Sequence, residues 1–65
     1  MSQLVLSVPN IRCGRCVEAI REEVRLVAGV RAVAVDLASR TVRVDGDAER
    51  AAVVAAIGEA GHQVA

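Results

Sequence analysis

No phenylalanine, tyrosine or tryptophan occurs anywhere in this 65-residue chain. Aromatic rings usually supply much of the apolar area in a small core, so this core has to be filled with small, stiff side chains. Thirteen Val and twelve Ala dominate an apolar content of 54%. A chain this short buries only about 60% of the surface it exposes when unfolded, and a single domain over residues 1–65 of modest stability is expected. The missing rings also remove base stacking as a route to nucleic acid. Eight Arg balance eight Asp and Glu, with no Lys, and a formal net charge of zero argues against an electrostatic grip on a phosphate backbone. No apolar run nears the ~18 residues of a membrane span, and the N-terminus lacks a charged-then-apolar leader pattern. The composition suits a cytosolic binding module without direct membrane insertion better than a large enzyme. Starting at Met1 and finishing on a last strand suggests a complete small protein; a domain excised from a larger protein is the alternative.

Hydrophobic spacing changes along the chain in an orderly way. Leu4, Leu6 and Val8 alternate with Val5 and Ser7, the period of a half-buried strand. Pro9-Asn10 ends it. From about Gly14 to Val27 the period becomes helical: Val17, Ile20, Val24 and Val27 form one stripe, and the charged residues pair at i,i+3 as Glu18–Arg21 and Glu22–Arg25. Gly29 reads as the helix stop. Val30 to Leu37 and Arg40 to Asp45 alternate again and read as a hairpin joined by Ala38-Ser39. Asp47 is placed to cap a second helix, Ala48 to Ala60. Gly61 would end that helix, and His62-Gln63-Val64 would form a last strand. The order βαββαβ is an α+β, ferredoxin-like arrangement, with two helices on one face of a four-stranded antiparallel sheet. The topology hosts many functions and decides none of them.

Cys13 and Cys16 stand between the first strand and the first helix at C-x-x-C spacing. In a reducing compartment a close pair reads as metal-binding or redox-active rather than as a structural disulfide. The helix start favours a thiolate, and Arg12 and Arg15 add positive charge beside it. A closed zinc site wants four ligands and iron–sulfur clusters usually four cysteines, whereas this chain offers two Cys and one His. Soft thiolates select Cu(I), which accepts two or three sulfur ligands in an open site. Such a site suits a carrier, because a partner thiolate can attack the bound ion.

The run Val8-Pro9-Asn10-Ile11-Arg12-Cys13-Gly14-Arg15-Cys16-Val17, with Ile20 beyond, resembles the metal loop of heavy-metal-associated domains. That family includes small cytosolic copper chaperones and the N-terminal metal-binding domains of copper-transporting P-type ATPases. Gly29-Val30 and Glu59-Ala60-Gly61-His62-Gln63-Val64 are also similar to it, and the likeness spans nearly the whole chain. The family usually carries Gly-Met two places before the first cysteine of the motif. Here Asn10-Ile11 stands instead, with Ile11 able to pack as the Met does and Asn10 able to adopt positive φ. Arg12 replaces the acidic residue often found in zinc- and cadmium-transporting relatives.

The resemblance implies a non-enzymatic cytoplasmic copper chaperone that binds one Cu(I) through Cys13 and Cys16. It implies delivery to the metal-binding domain of a copper-transporting P-type ATPase, and a homodimer in which copper bridges two copies. His62 occupies the place where bacterial copper members carry Tyr and eukaryotic ones Lys. As a histidine it can hydrogen-bond a cysteine or supply a third metal ligand. The rival readings are a mercury- or zinc-binding domain of the same family and a small thiol–disulfide oxidoreductase.

Overall fold

Alternation at the start of the chain produces β1, Gln3–Ser7, in the computed structural model, which describes residues 3–65. Helix α1 (Gly14–Val24), strands β2 (Val30–Asp36) and β3 (Thr41–Gly46), and helix α2 (Arg50–Glu59) follow in order. Strand β3 is central in an antiparallel sheet of order β1-β3-β2. Its register aligns Leu4 with Val44 and Val33, and Leu6 with Val42 and Val35, so two apolar rows cross the inner face. The outer face carries Gln3, Val5, Arg43, Asp45, Ala32 and Ala34, all exposed. Both helices therefore cover one face. Ile20 and Val24 of α1 and Val53, Ala56 and Ile57 of α2 join Leu6, Val8, Ile11, Val42 and Val44 in one buried cluster. No ring is needed: full burial of each Val, Leu or Ile contributes about 1.5–3 kcal/mol, and these side chains interlock at short range. The expected surface pairs form on α1, Arg21–Glu18 at 3.9 Å and Arg25–Glu22 at 3.7 Å, both exposed.

Four expectations change. The fourth strand is absent among the described residues, and the sheet has three strands. Gly61 does end α2, in a left-handed conformation at φ 87°, and the ending draws in the next residue. Gly61 N–H donates to the Gly58 carbonyl at 3.0 Å and His62 N–H to Ile57 at 3.1 Å, the paired bonds of a Schellman motif. With the His62 N–H turned back into the helix, the tail makes one bond to β1, Ala65 N–H to Ser7 O at 2.8 Å.

Helix α1 stops at Val24 rather than Val27, and Gly29 is not its cap. Tighter i→i+3 turns take over, with Leu26 N–H bonding Glu23 O and Val27 N–H bonding Val24 O. They pack Val27 against the core and leave Leu26 exposed. The hairpin connection is four residues, Leu37 to Arg40, rather than two. Asp36 shapes it by accepting N–H bonds from Ala38 at 3.0 Å and Ser39 at 3.4 Å, and Arg40 takes the left-handed conformation at φ 56°. Leu37, expected to alternate with Val33 and Val35, is consequently outside the core at 42% exposure. Finally, Glu49 and not Asp47 holds the N-cap position of α2, with no side-chain cap bond. Asp47 instead gives its N–H to Gly29 O at 2.9 Å.

That bond ties the α1–β2 loop to the β3–α2 turn where Gly29 (φ 91°) and Gly46 (φ 128°) meet. Ends of the fold thereby acquire different characters. Ser7, Thr41 and the tail mark one end, where the cysteine loop sits; Gln3, Asp45 and Gly29 mark the other. Among the described residues no helix is long and apolar enough to cross a membrane.

Candidate metal centre

Residues Val8 to Arg12 bring the chain from the sheet edge to the start of α1. Val8 and Ile11 are both buried, and Ile11 N–H bonds Val8 O at 3.2 Å. This short apolar anchor pins the loop and leaves Arg12 and Cys13 exposed beyond it. Ile11 thus packs as the sequence suggests.

Cys13 is the N-cap residue of α1, extended at φ −155° and ψ 174°. Its carbonyl accepts the Cys16 N–H at 3.1 Å and the Val17 N–H at 3.3 Å, starting the helix. Cys16 lies one turn along, half-buried and packed against the core. Three-residue spacing on a nascent helix turn puts both side chains on one side. The sulfurs stand 3.7 Å apart, and both cysteines are free. That separation would allow both sulfurs to hold a single soft ion, and Cys13 is exposed to solvent.

Electrostatics favour the thiolate at Cys13. The backbone N–H of Cys16 lowers its pKa most, followed by the Cys16 thiol, the Arg15 N–H and the Arg15 charge. The N–H groups act through their field, because no side-chain cap bond closes at this helix end. Arg12 and Arg15 are both exposed on either side of Cys13.

His62 stands in the loop after α2, placed by the Schellman turn. Its ring is half-buried, and Nδ1 is buried with no hydrogen-bond partner among the described residues. The structure brings Cys13 and Cys16 together but does not gather His62 with them: no three His, Cys, Asp or Glu side chains cluster among the described residues. One neighbour escaped the sequence reading. Arg40, expected as the first residue of a strand, lies in the hairpin beside the cysteine loop. Its carbonyl accepts the Val8 N–H at 2.9 Å, and its guanidinium donates to Pro9 O at 3.5 Å. The βαββ order, which puts the hairpin and the loop at one end, was the available signal.

The sequence profile of the heavy-metal-associated domain family matches residues 5–63. Among curated proteins no significant match is found. Solved structures are similar over nearly the full length. The CopZ metallochaperone is 28% identical, with 98% of this chain and 100% of that chain covered and a TM-score of 0.93. The copper chaperone Atx1 from Synechocystis PCC6803 (Cu2 form) is 33% identical over 95% of this chain and 98% of that one, at a TM-score of 0.84. A copper binding domain from HMA7, a P-type ATPase, shares the fold at 20% identity, with 100% and 92% covered and a TM-score of 0.92.

Proposed function

The chain belongs to the heavy-metal-associated domain family, and we propose on that premise that it is a cytoplasmic carrier of Cu(I). The observation that carries the reading is the 3.7 Å approach of two free thiols at an open, cation-flanked helix start. Two soft donors, with no third clustered beside them among the described residues, suit Cu(I) better than a closed four-ligand zinc site. The likeness to two proteins described as a metallochaperone and a copper chaperone supports the same choice.

Cys13 and Cys16 bind one ion as thiolates, and Arg12 and Arg15 offset the net charge of about −1 left on the complex. Delivery is ligand exchange without catalysis. A thiolate of the partner forms a third sulfur–copper bond from the open side, where Cys13 is exposed. One bond to this chain then breaks, a second partner thiolate takes its place, and the last bond breaks, each electron pair returning to its sulfur while copper remains Cu(I). The acceptor is the metal-binding domain of a copper-transporting P-type ATPase. His62 is the conditional third ligand of this reading and reaches the ion only by a movement of the loop after α2, because it does not cluster with the cysteines among the described residues. Copper also bridges two copies of the chain through their paired cysteines in this reading, giving a metal-dependent homodimer.

An anaerobic Cu(I) titration of reduced protein against a chromophoric chelator, with glutathione present and Zn(II) run in parallel, tests this. One equivalent held tightly and lost in Cys13→Ser and in Cys16→Ser is the expected result. A weaker complex in His62→Ala would put that residue at the ion. Strong Zn(II) with weak Cu(I) binding would replace copper with a divalent cargo. Tight binding of neither ion would leave thiol–disulfide exchange as the chemistry of the pair.

A further inference from the structure

The two edges of the sheet are left in different states. Val8 N–H donates to Arg40 O at 2.9 Å, one pair beyond Ser7–Thr41, which fixes the alternation of the ladder. Val42 and Val44 therefore turn their backbone groups to β1, and Thr41, Arg43 and Asp45 turn theirs to β2. Their partners Asp36, Ala34 and Ala32 are engaged, whereas Val33 and Val35 point N–H and C=O outward. On the β1 edge the tail reaches across, with Ala65 N–H on Ser7 O at 2.8 Å. Among the described residues no backbone group bonds Val33 or Val35 from outside. The stretch Ala32-Val33-Ala34-Val35 has neither a Pro nor a charge to blunt it, and the bulge between Val30 and Ala32 falls at its start.

Beside this bare edge runs a groove of about 230 Å³ between α1 and residues 30–33 of β2. Its helix wall carries Glu18, Arg21, Glu22 and Arg25 in that order. Within the chain these make only exposed pairs at 3.9 and 3.7 Å, which contribute little and leave donors and oxygens over. Read from the opposite end, the order is Arg, Glu, Arg, Glu. A two-fold axis thus sets every Glu of one helix against an Arg of the other. Arg31, the remaining charge of the groove, stands near the start of the strand that Asp36 ends, and antiparallel pairing carries it toward Asp36 of the other copy. We propose that β2 is the seam of a copper-independent homodimer, in which Val33 and Val35 pair antiparallel with the same residues of a second copy and the two α1 stripes meet above them. The two three-stranded sheets become one continuous sheet. Asp36 pairs with Thr41 at the cysteine end, so the two cysteine loops lie at opposite ends of the assembly and both stay open. A bridge through copper would instead bring the loops together. A strand from another protein would find the same edge; the alternating stripe is what selects a second copy.

Reduced, copper-free chain in the presence of a chelator is followed by sedimentation equilibrium from micromolar to millimolar concentration. The mass should climb from that of one chain, 6.8 kDa, toward that of two. Glu18→Arg with Glu22→Arg makes the stripe wholly basic, and Arg21→Glu with Arg25→Glu makes it wholly acidic. All four side chains are exposed on α1, so the fold is kept. Each variant alone should associate about tenfold or more weakly than wild type, and an equimolar mixture of the two should recover association. Amide hydrogen exchange at Val33 and Val35 should slow with concentration, while Val5 on the β1 edge is unchanged. Val35→Pro removes an outward donor without touching the β3 ladder and should leave a folded monomer by circular dichroism. A wild-type chain that stays monomeric throughout would overturn the proposal and leave the edge to another partner. Association undiminished in both charge variants would overturn it as well, as would slowed exchange at Val5 in place of Val33 and Val35. Association that appears only after Cu(I) is added would assign the dimer to the cysteines and reject the seam. Because no metal enters the decisive measurement, its outcome is separate from that of the carrier reading.

Discussion

Cys13 and Cys16 are three residues apart yet meet different surroundings, one exposed at the helix cap and the other packed against the core. The field of the Cys16 N–H and its neighbours acts on Cys13, and a lowered pKa means more thiolate at any given pH. Alkylation of Cys13, resolved by mass spectrometry across the neutral pH range, should therefore rise at lower pH than in an unfolded peptide of the same loop. Coincident profiles would show that the helix start has no influence. Behind the pair, Ile11 is 1% exposed. Ile11→Ala should cost about 2–5 kcal/mol in urea unfolding and speed Cys13 labelling, because the same side chain fills the core and anchors the loop. A loss of stability with unchanged labelling would separate those two roles.

At the level of elements, the glycines of this fold divide by what surrounds them. A methyl group on Gly46 would run into the Gly29 carbonyl and the Arg31 N–H, at a φ of 128° that L side chains avoid. The Gly58 position lies within α2 and has open space around it. Gly46→Ala should destabilise the chain by about 3 kcal/mol or more, whereas Gly58→Ala should stabilise it by about 0.5–1 kcal/mol. Thermal unfolding of the two variants side by side checks the contrast. A mild effect at Gly46 would mean that the β2 bulge between Val30 and Ala32 can relax. The hairpin shows a related division: its strands are set by alternation, but its tip is set by Asp36, Arg40 and the cysteine loop against which it leans.

Viewed as a whole, the molecule measures 28 × 20 × 18 Å, and one valine-rich cluster must hold it together without a ring or a cross-link. A domain of this size has little stability in reserve, so a bound ion should register strongly. The carrier reading expects Cu(I) at a free concentration a hundredfold above Kd to add about 2.7 kcal/mol. For so small a domain that is a rise in Tm of roughly 10 °C or more. Cys13→Ser should abolish the shift, and a shift that survives that substitution would locate copper elsewhere.

Features encoded by near neighbours were legible in the chain from the start. The alternation of Leu4, Leu6 and Val8, the helical stripe through Ile20 and Val24, the i,i+3 ion pairs and the Gly61 stop each depend on residues within a turn or a pleat of one another. The cysteine pair was legible for the same reason, since its geometry needs only a helix to begin at Gly14. Other features required distant segments to meet. Asp47 gives its N–H to Gly29, Val8 bonds Arg40, and His62 turns into α2 instead of joining the sheet. Each is a competition for one backbone hydrogen bond between partners far apart in sequence. Local pattern can state that the bond will be made; the winning partner is decided only when the packed helices and sheet bring the candidates within reach.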